Sequence, residues 1–425
     1  TRWPRPVPRR RHAASTSDDR DPRAAGDGSG TGIGDGRDAG TGVGDDPRAA
    51  GTPETGRVHD GPVGTVDRRG LLVAGGTAAG LVVLAAGTGL GGQALQTARF
   101  SAAGSRARVR IPRPVSAAKP VPDGTRRPVH GITPWRTSNE TFYRVDTAIT
   151  LPQVPADTWK LRVHGMVEHE LTLSYDELLR RDLIERDITL TCVSNEVGGH
   201  LAGNARWIGA PLRDLLRQAG VSPHATQLVS RSADGMTIGT PVEAVLDGRD
   251  AILAVAMNGE PLPVKHGFPV RMIVPGLYGY VSACKWLVDL EATTYDAYDP
   301  YWVKRKWAAK APIKTASRID TPKPFGHAKA GTVMIAGVAW AQHRGIRRVE
   351  VRVDDGAWQP ARLAATPDSD VWRQWVYTWS GAKPGDHQIT VRATDATGGT
   401  QTEKRASPFP NGSSGWHSIS VTVDG

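Results

Sequence analysis

Cysteine is nearly absent from this chain: Cys192 and Cys284 are the only two among 425 residues. Two thiols cannot form a disulfide framework or supply four cysteine ligands to zinc. They leave open a single Cys192–Cys284 bridge, which an exported protein would permit, or two free thiols. Large apolar residues are almost missing from residues 1–66, where Gly, Asp, Arg, Ala and Thr alternate. Such a segment cannot bury enough surface to offset the entropy of ordering, and it is expected to be disordered. Its glycine string, Gly26 to Gly34, lacks a preceding strand, a following helix and a lysine, so low complexity explains it better than a nucleotide loop. The chain has no Gly-x-Ser-x-Gly, no phosphate-loop lysine and no calcium-loop spacing. His164, Glu168, His169 and Glu170 lack the helical spacing of a zinc pair, and Gly165 interrupts them.

Charge is missing from Gly70 to Ala98, directly after Asp67-Arg68-Arg69. The run is long enough to span a bilayer. Two readings stay open: a transmembrane anchor over 67–98 with a basic flank, or an export signal of the twin-arginine kind. Both place the part of the chain that follows the run outside the cytoplasm. The net charge is +10, and much of the excess sits in one place. Between Ala98 and Pro128 there are eight Arg or Lys and one Asp. This Pro-rich stretch, 99–128, reads as a linker near a membrane face. It lacks interleaved aromatics, so a nucleic-acid partner is not expected.

From Val129 the composition is that of a packed domain, and 129–316 reads as α+β. Trp159 to Gly165 has alternating apolar positions, and Ser174 with Glu177 forms a capping box before Leu178. Pro211 opens a helix with Leu212, Leu215 and Leu216 on one face and Gly220 closing it. Short strands follow at Leu228 to Ile238, Ala251 to Met257, Phe268 to Val274 and Cys284 to Leu290, with a turn at Asn258-Gly259. After a connector from Pro312 to His327 the pattern is purely β. The alternation at Val349, Val351 and Val353, the turn at Asp354-Asp355-Gly356 and the later short strands predict an all-β immunoglobulin-like sandwich over 317–425.

Cys192 sits where the β-branched run Ile188 to Thr191 gives way to a small-residue loop ending at Gly198-Gly199. A lone cysteine is ordinarily a small buried hydrophobe. At a rigid strand end its thiolate is also a soft ligand suited to a transition metal. The segments Thr191-Cys192-Val193-Ser194-Asn195 and Asn204-Ala205-Arg206-Trp207 resemble the molybdopterin-dependent sulfite oxidase family, and the similarity runs from Ile132 to Val423. That resemblance implies a molybdenum–molybdopterin cofactor with Cys192 as the metal ligand. It implies cofactor contacts at Asn139, Phe142, Arg144, His266, Arg271 and Lys285, and catalytic roles for Arg144, Trp207, Tyr301 and Arg373. For Arg144 a structural ion pair with Asp146 stays open, and for Arg373 a solvated strand arginine on Trp375.

The resemblance further implies oxygen-atom transfer on a small oxyanion or sulfur-containing substrate, and a homodimer formed by the C-terminal domain. No haem domain is present in this chain, so electrons are expected to pass to a separate carrier such as a cytochrome. The sequence departs from the family's sulfite oxidisers after the cysteine, where Glu196 and Val197 replace a cationic position. This leaves sulfoxide-type reduction at the same site as the alternative reaction. A non-enzymatic surface protein, an immunoglobulin-like module on a tether with Cys192 inert, is the alternative from another class.

Overall fold

The computed structural model of the chain describes residues 101–425. The expectations for 1–66 and 67–98 lie outside the described residues. No helix among the described residues is long and apolar enough to cross a membrane.

The first body holds two mostly antiparallel sheets with short helices between their strands. One sheet runs Leu171–Ser174, Lys160–Gly165, Leu287–Thr293, Gln227–Ser232, Thr237–Pro241. Its one parallel pair joins Lys160–Gly165 to Leu287–Thr293. The other runs Ile184–Thr191, Ala202–Pro211, Ile252–Met257, Glu260–Pro261, with Arg271–Ile273 also paired to Ile252–Met257. Local chemistry explains the helix ends. Ser174 and Glu177 complete the capping box ahead of Tyr175–Leu179. Pro211 is the N-cap of Leu212–Ala219, one residue earlier than its expected place inside the helix, and Gly220 closes that helix at φ 65°. Leu212, Leu215, Leu216 and Ala219 are its buried face. Asn258 and Gly259 both take positive φ, as a two-residue hairpin turn requires. The run read as one strand from Leu228 to Ile238 is two strands around a turn. The strand expected from Cys284 begins only at Leu287. Trp286 takes φ 48°, outside the strand region.

The second body is two sheets packed around one apolar layer. The first runs Ala316–Thr321, Gly331–Trp340, Arg373–Ala382, Arg362–Leu363, and the second Gly326–Lys329, His417–Asp424, Gly385–Asp395, Ile346–Val353, Gln359–Pro360. Ile335, Val349, Trp375, Ile389, Val391 and Val421 meet between them. The expected connector from Pro312 is itself partly an edge strand. The seam between the bodies is packed, because Val338, Trp340, Val371 and Trp372 belong to the apolar core of the first body.

Residues 101–128, read from composition as a linker, are docked along both bodies. Ala102–Arg108 is a helix capped by the Ser101 side chain. Arg106 donates to the carbonyls of Pro261 and Leu262. The Val115 amide bonds to Leu183 O, and the Glu185 amide bonds to Ser116 O. Arg127 N donates to Gln374 of the second body at 2.7 Å. Ser105 is fully buried, and its hydroxyl accepts from the Ala156 amide at 2.9 Å. Composition misled here because arginines can lie over a surface while their stems pack and their heads satisfy backbone carbonyls. Replacing Ser105 by Ala strands the Ala156 N–H, so Ser105→Ala should lower unfolding free energy by about 1–3 kcal/mol in urea titrations. An unchanged midpoint would show that the segment is not docked.

Candidate active site

Cys192 is the first residue beyond the ladder in which Ile184–Thr191 pairs with Ala202–Pro211, where Thr191 faces Ala202. Its amide donates to Leu201 O at 2.9 Å, closing the loop at its base. Asn195 is buried, and its side-chain oxygen accepts the Leu201 amide at 2.7 Å. The second body holds the same loop from outside. Ser413 Oγ donates to Asn195 O at 2.6 Å and Arg318 Nη1 to Gly199 O at 2.8 Å. The His417 ring lies against Gly198, at φ +82°, where any Cβ would collide with it. Behind the strand, Gln342 Nε2 donates to Thr189 O and Thr191 Oγ1, and the Trp372 amide donates to Thr189 Oγ1.

The Cys192 thiol opens into a cleft of about 660 Å³ that Tyr143, Arg271, Cys284, Lys285 and Trp302 also line. Both cysteines are free and buried. Burial pushes the Cys192 thiol above its usual pKa against hydrogen bonds from Ser194. Burial pushes Cys284 up to about 12. Each thiol is therefore held in its protonated form by burial. Arg271 is the informative residue. It is 6% exposed, its Nε has no hydrogen-bond partner, and it forms no ion pair among the described residues. Nη1 makes one long contact, 3.4 Å to His266 O, and the guanidinium lies over the Trp207 ring at 5.6 Å. Lys285 contacts Asp146, and burial beside Arg271 lowers its pKa to about 8. Burial alone would raise the Asp146 pKa, but hydrogen bonds from Arg144 and Lys285 hold it below the usual carboxylate range. An uncompensated buried cation costs several kcal/mol, so this cleft is built to receive an anion.

The structure gathers Cys192, Arg271 and Lys285 and distributes the other expected residues elsewhere. Trp207 is fully buried, donates to Ile188 O at 3.1 Å and supports Arg271 from below. Phe142 is packing: it stacks on Tyr143 and meets Trp207 and His266 edge-on. His266 is buried with Nε2 2.9 Å from Asn139 O, and reaches the site only through its carbonyl contact with Arg271. Asn139 is not a cleft residue. Its amide is held by Glu260, Met257 O and Asn258, and it lines a separate surface pocket. Arg144 pairs with Asp146 through two contacts of 2.8 and 3.1 Å and does not line the cleft. Tyr301 sits under Arg305 at 3.5 Å, and its neighbour Trp302 takes the place at the cleft wall. Arg373 does not reach back toward Cys192. It donates to the carbonyls of Ala364 and Ile346 inside the second body. The residues that do reach the loop, Arg318, Gln342 and Ser413, carry no local sequence signal. Tyr143 and Asp146 stood inside a segment whose arginine was the more conspicuous residue.

Two histidines beside the site are held neutral. Burial, aided by the Arg271 charge, lowers His266 to about 4, and burial with Arg318 lowers His417 to about 4. The unfolded chain protonates them near the ordinary imidazole value of 6.5. Stability is therefore full above that pH and is lost as pH falls toward 4. His266→Gln should reduce the slope of unfolding free energy in that window by about one proton, ~1.4 kcal/mol per pH unit. An unchanged slope would mean that His266 is charged in the fold.

Residues 148–302 match the family described as oxidoreductase molybdopterin binding domain, a span that contains Cys192, Arg271 and Lys285. Mitochondrial sulfite oxidase of Rattus norvegicus is 29% identical over 339 residues, covering 68% of this chain and 61% of that protein. The Homo sapiens protein is 30% identical over 286 residues, covering 56% and 52%. The uncharacterized oxidoreductase YuiH of Bacillus subtilis is 34% identical over 135 residues, covering 32% of this chain and 65% of that protein. The chain thus spans less than two thirds of these relatives' lengths. The crystal structure of the sulfane dehydrogenase SoxCD from Paracoccus pantotrophus superposes with a TM-score of 0.59 at 23% identity, over 69% of this chain and 85% of that one, and shows the shared fold. A molybdopterin-binding match across Cys192 displaces the alternative of an inert tethered module. With its thiol at a braced strand end and its unpaired buried guanidinium in the same cleft, the chain belongs to the sulfite oxidase family of molybdopterin oxidoreductases.

Proposed function

We propose that this chain catalyses oxygen-atom transfer on a small sulfur-containing substrate and passes electrons to a separate protein carrier. The observation that carries the reading is Arg271, a buried cation with an unpaired Nε in the cleft of Cys192. A molybdenum–pyranopterin cofactor fits both features, since it offers a soft metal to the thiolate and anionic groups to the cations. When bound, that cofactor supplies oxygen-atom exchange coupled to a two-electron change.

The chain's own residues would do the following. Cys192 Sγ gives up its proton and binds the metal at a position set by the braced loop. Arg271 and Lys285 pair with the cofactor's anionic groups, and Asp146 orients Lys285. The Tyr143 hydroxyl, whose pKa burial raises well above 10, keeps its proton and can donate a hydrogen bond into the cleft. Val145, Met236, Ile238, Tyr280 and Trp302 restrict water at the reacting end.

Glu196 bears on the substrate differently from expectation. It is exposed and lines a neighbouring cavity of about 370 Å³ between the loop and the second body, not the Cys192 cleft. Its charge therefore does not argue against an oxyanion such as sulfite. The apolar wall of Val145, Met236, Ile238 and Trp302 favours the second reading, reduction of a neutral sulfoxide-type substrate. The second body fits an immunoglobulin-like module that pairs two copies. Residues 67–98 fit a membrane anchor or export signal that holds the catalytic body outside the cytoplasm.

Protein purified from a molybdenum-replete host should carry molybdenum and pterin. Cys192→Ser should abolish turnover, and Arg271→Ala should lower cofactor retention by about tenfold or more. Sulfite-dependent reduction of ferricyanide supports the oxidative reading. Activity only with a sulfoxide and a reduced dye selects the second, and absence of bound molybdenum and pterin refutes both.

A further inference from the structure

The surface beside the cleft mouth carries charge that no carboxylate balances. Lys304, Arg305 and Lys306 follow one another at the end of a short turn, all exposed, and none has an ion-pair partner among the described residues. Lys304 and Arg305 lie over the rings of Tyr298 and Tyr301 at 4.9 and 3.5 Å, which holds their charges at the surface. Lys310 next to them pairs with the exposed Glu243 and lies over the Tyr295 ring at 5.5 Å. The exposed acids just before this stretch are Asp296 and Asp299, and neither forms an ion pair with the three cations.

A set of rings connects this surface to the cleft. Trp302 and Tyr280 line the cleft. Both contact Trp307, with centroids 6.0 and 5.8 Å away. Trp307 meets Phe409 at 5.3 Å, and Phe409 is 51% exposed. Phe409 comes from the second body and is held in place by a bond from Ala308 N to Pro410 O at 3.1 Å and by Lys314 contacts to Asn411 and Gly412. A large apolar side chain presented to solvent beside unpaired cations has the anatomy of a transient protein interface. The apolar centre supplies contact area, and the charged rim steers encounter.

We propose that Phe409 with Lys304, Arg305 and Lys306 forms the docking surface for a small acidic one-electron redox protein, with Trp307 linking the cleft wall to that interface. The proposal rests on the oxidoreductase reading above. Its electron balance is explicit for sulfite: sulfite and water give sulfate, two protons and two electrons. The protons go to solvent, and two acceptor molecules each leave reduced by one electron. Close ring contacts suit this exit because electron tunnelling falls steeply with the gap between packed groups.

The test uses cofactor-loaded protein and oxidised plastocyanin, an acidic copper protein, with basic mitochondrial cytochrome c as the opposite-charge control. Binding is measured by calorimetry at about 20 mM and about 300 mM salt, where surface charges are respectively felt and screened. Plastocyanin should bind at low salt, weaken at high salt, and outcompete cytochrome c. Lys304→Glu combined with Lys306→Glu should weaken it by roughly tenfold, and Phe409→Ala should weaken it at both salt concentrations. Both variants should keep ferricyanide-linked turnover at high salt, since a small acceptor needs no docking face. Equal plastocyanin binding by the unaltered and charge-reversed proteins, or preference for cytochrome c, overturns the proposal while leaving ferricyanide turnover intact. Absence of ferricyanide turnover in the unaltered protein instead counts against the oxidoreductase reading itself.

Discussion

The position of one thiol is set by two folding bodies acting on the same loop. The first body places Cys192 at the end of a paired strand and closes its loop through Asn195. The second body then braces that loop by Arg318 and Ser413 on its carbonyls and by the His417 ring against Gly198. The metal-ligand role proposed for Cys192 requires a position held to a fraction of an ångström, and a free hairpin loop would not provide it. The seam is accordingly apolar and continuous, with Trp340 and Trp372 sharing the first body's core. The second body is therefore part of the site's support even though none of its side chains lines the cleft.

Charge in the cleft follows from burial. Asp146 is matched by Arg144 and Lys285, which leaves Arg271 as the cation without a carboxylate. A buried cation without a carboxylate is costly, and an anionic group in the cleft would balance it. The same burial keeps both thiols protonated and His266 neutral, so the cleft's positive charge rests on Arg271 and Lys285.

Legibility was uneven for physical reasons. Strand alternation, the Ser174–Glu177 cap, the helix closed by Gly220 and the Asn258-Gly259 turn are local effects, and each appears where nearby residues require it. The linker reading failed because composition reports local stiffness and charge, not the distant carbonyls of Pro261 and Leu262 to which Arg106 bonds. Arg144, Arg373 and Tyr301 were functional candidates through the family resemblance. Their roles depend on what lies within a few ångströms: a carboxylate for Arg144, two carbonyls for Arg373, and the Arg305 guanidinium for Tyr301.

The sequence by itself determined most of the elements and the all-β character of the C-terminal part, because these follow from periodicity and turn chemistry; the grouping of a strand-end cysteine with later cations came from the ordered motifs of a resembling family. Only the tertiary structure decided which cations share the thiol's cleft, that Glu196 faces a different cavity, and that Trp302 and not Tyr301 lines the cleft wall. Those outcomes depend on which charges find partners across long sequence separations. No local pattern encodes such pairings, since they exist only once distant segments of the chain are folded together.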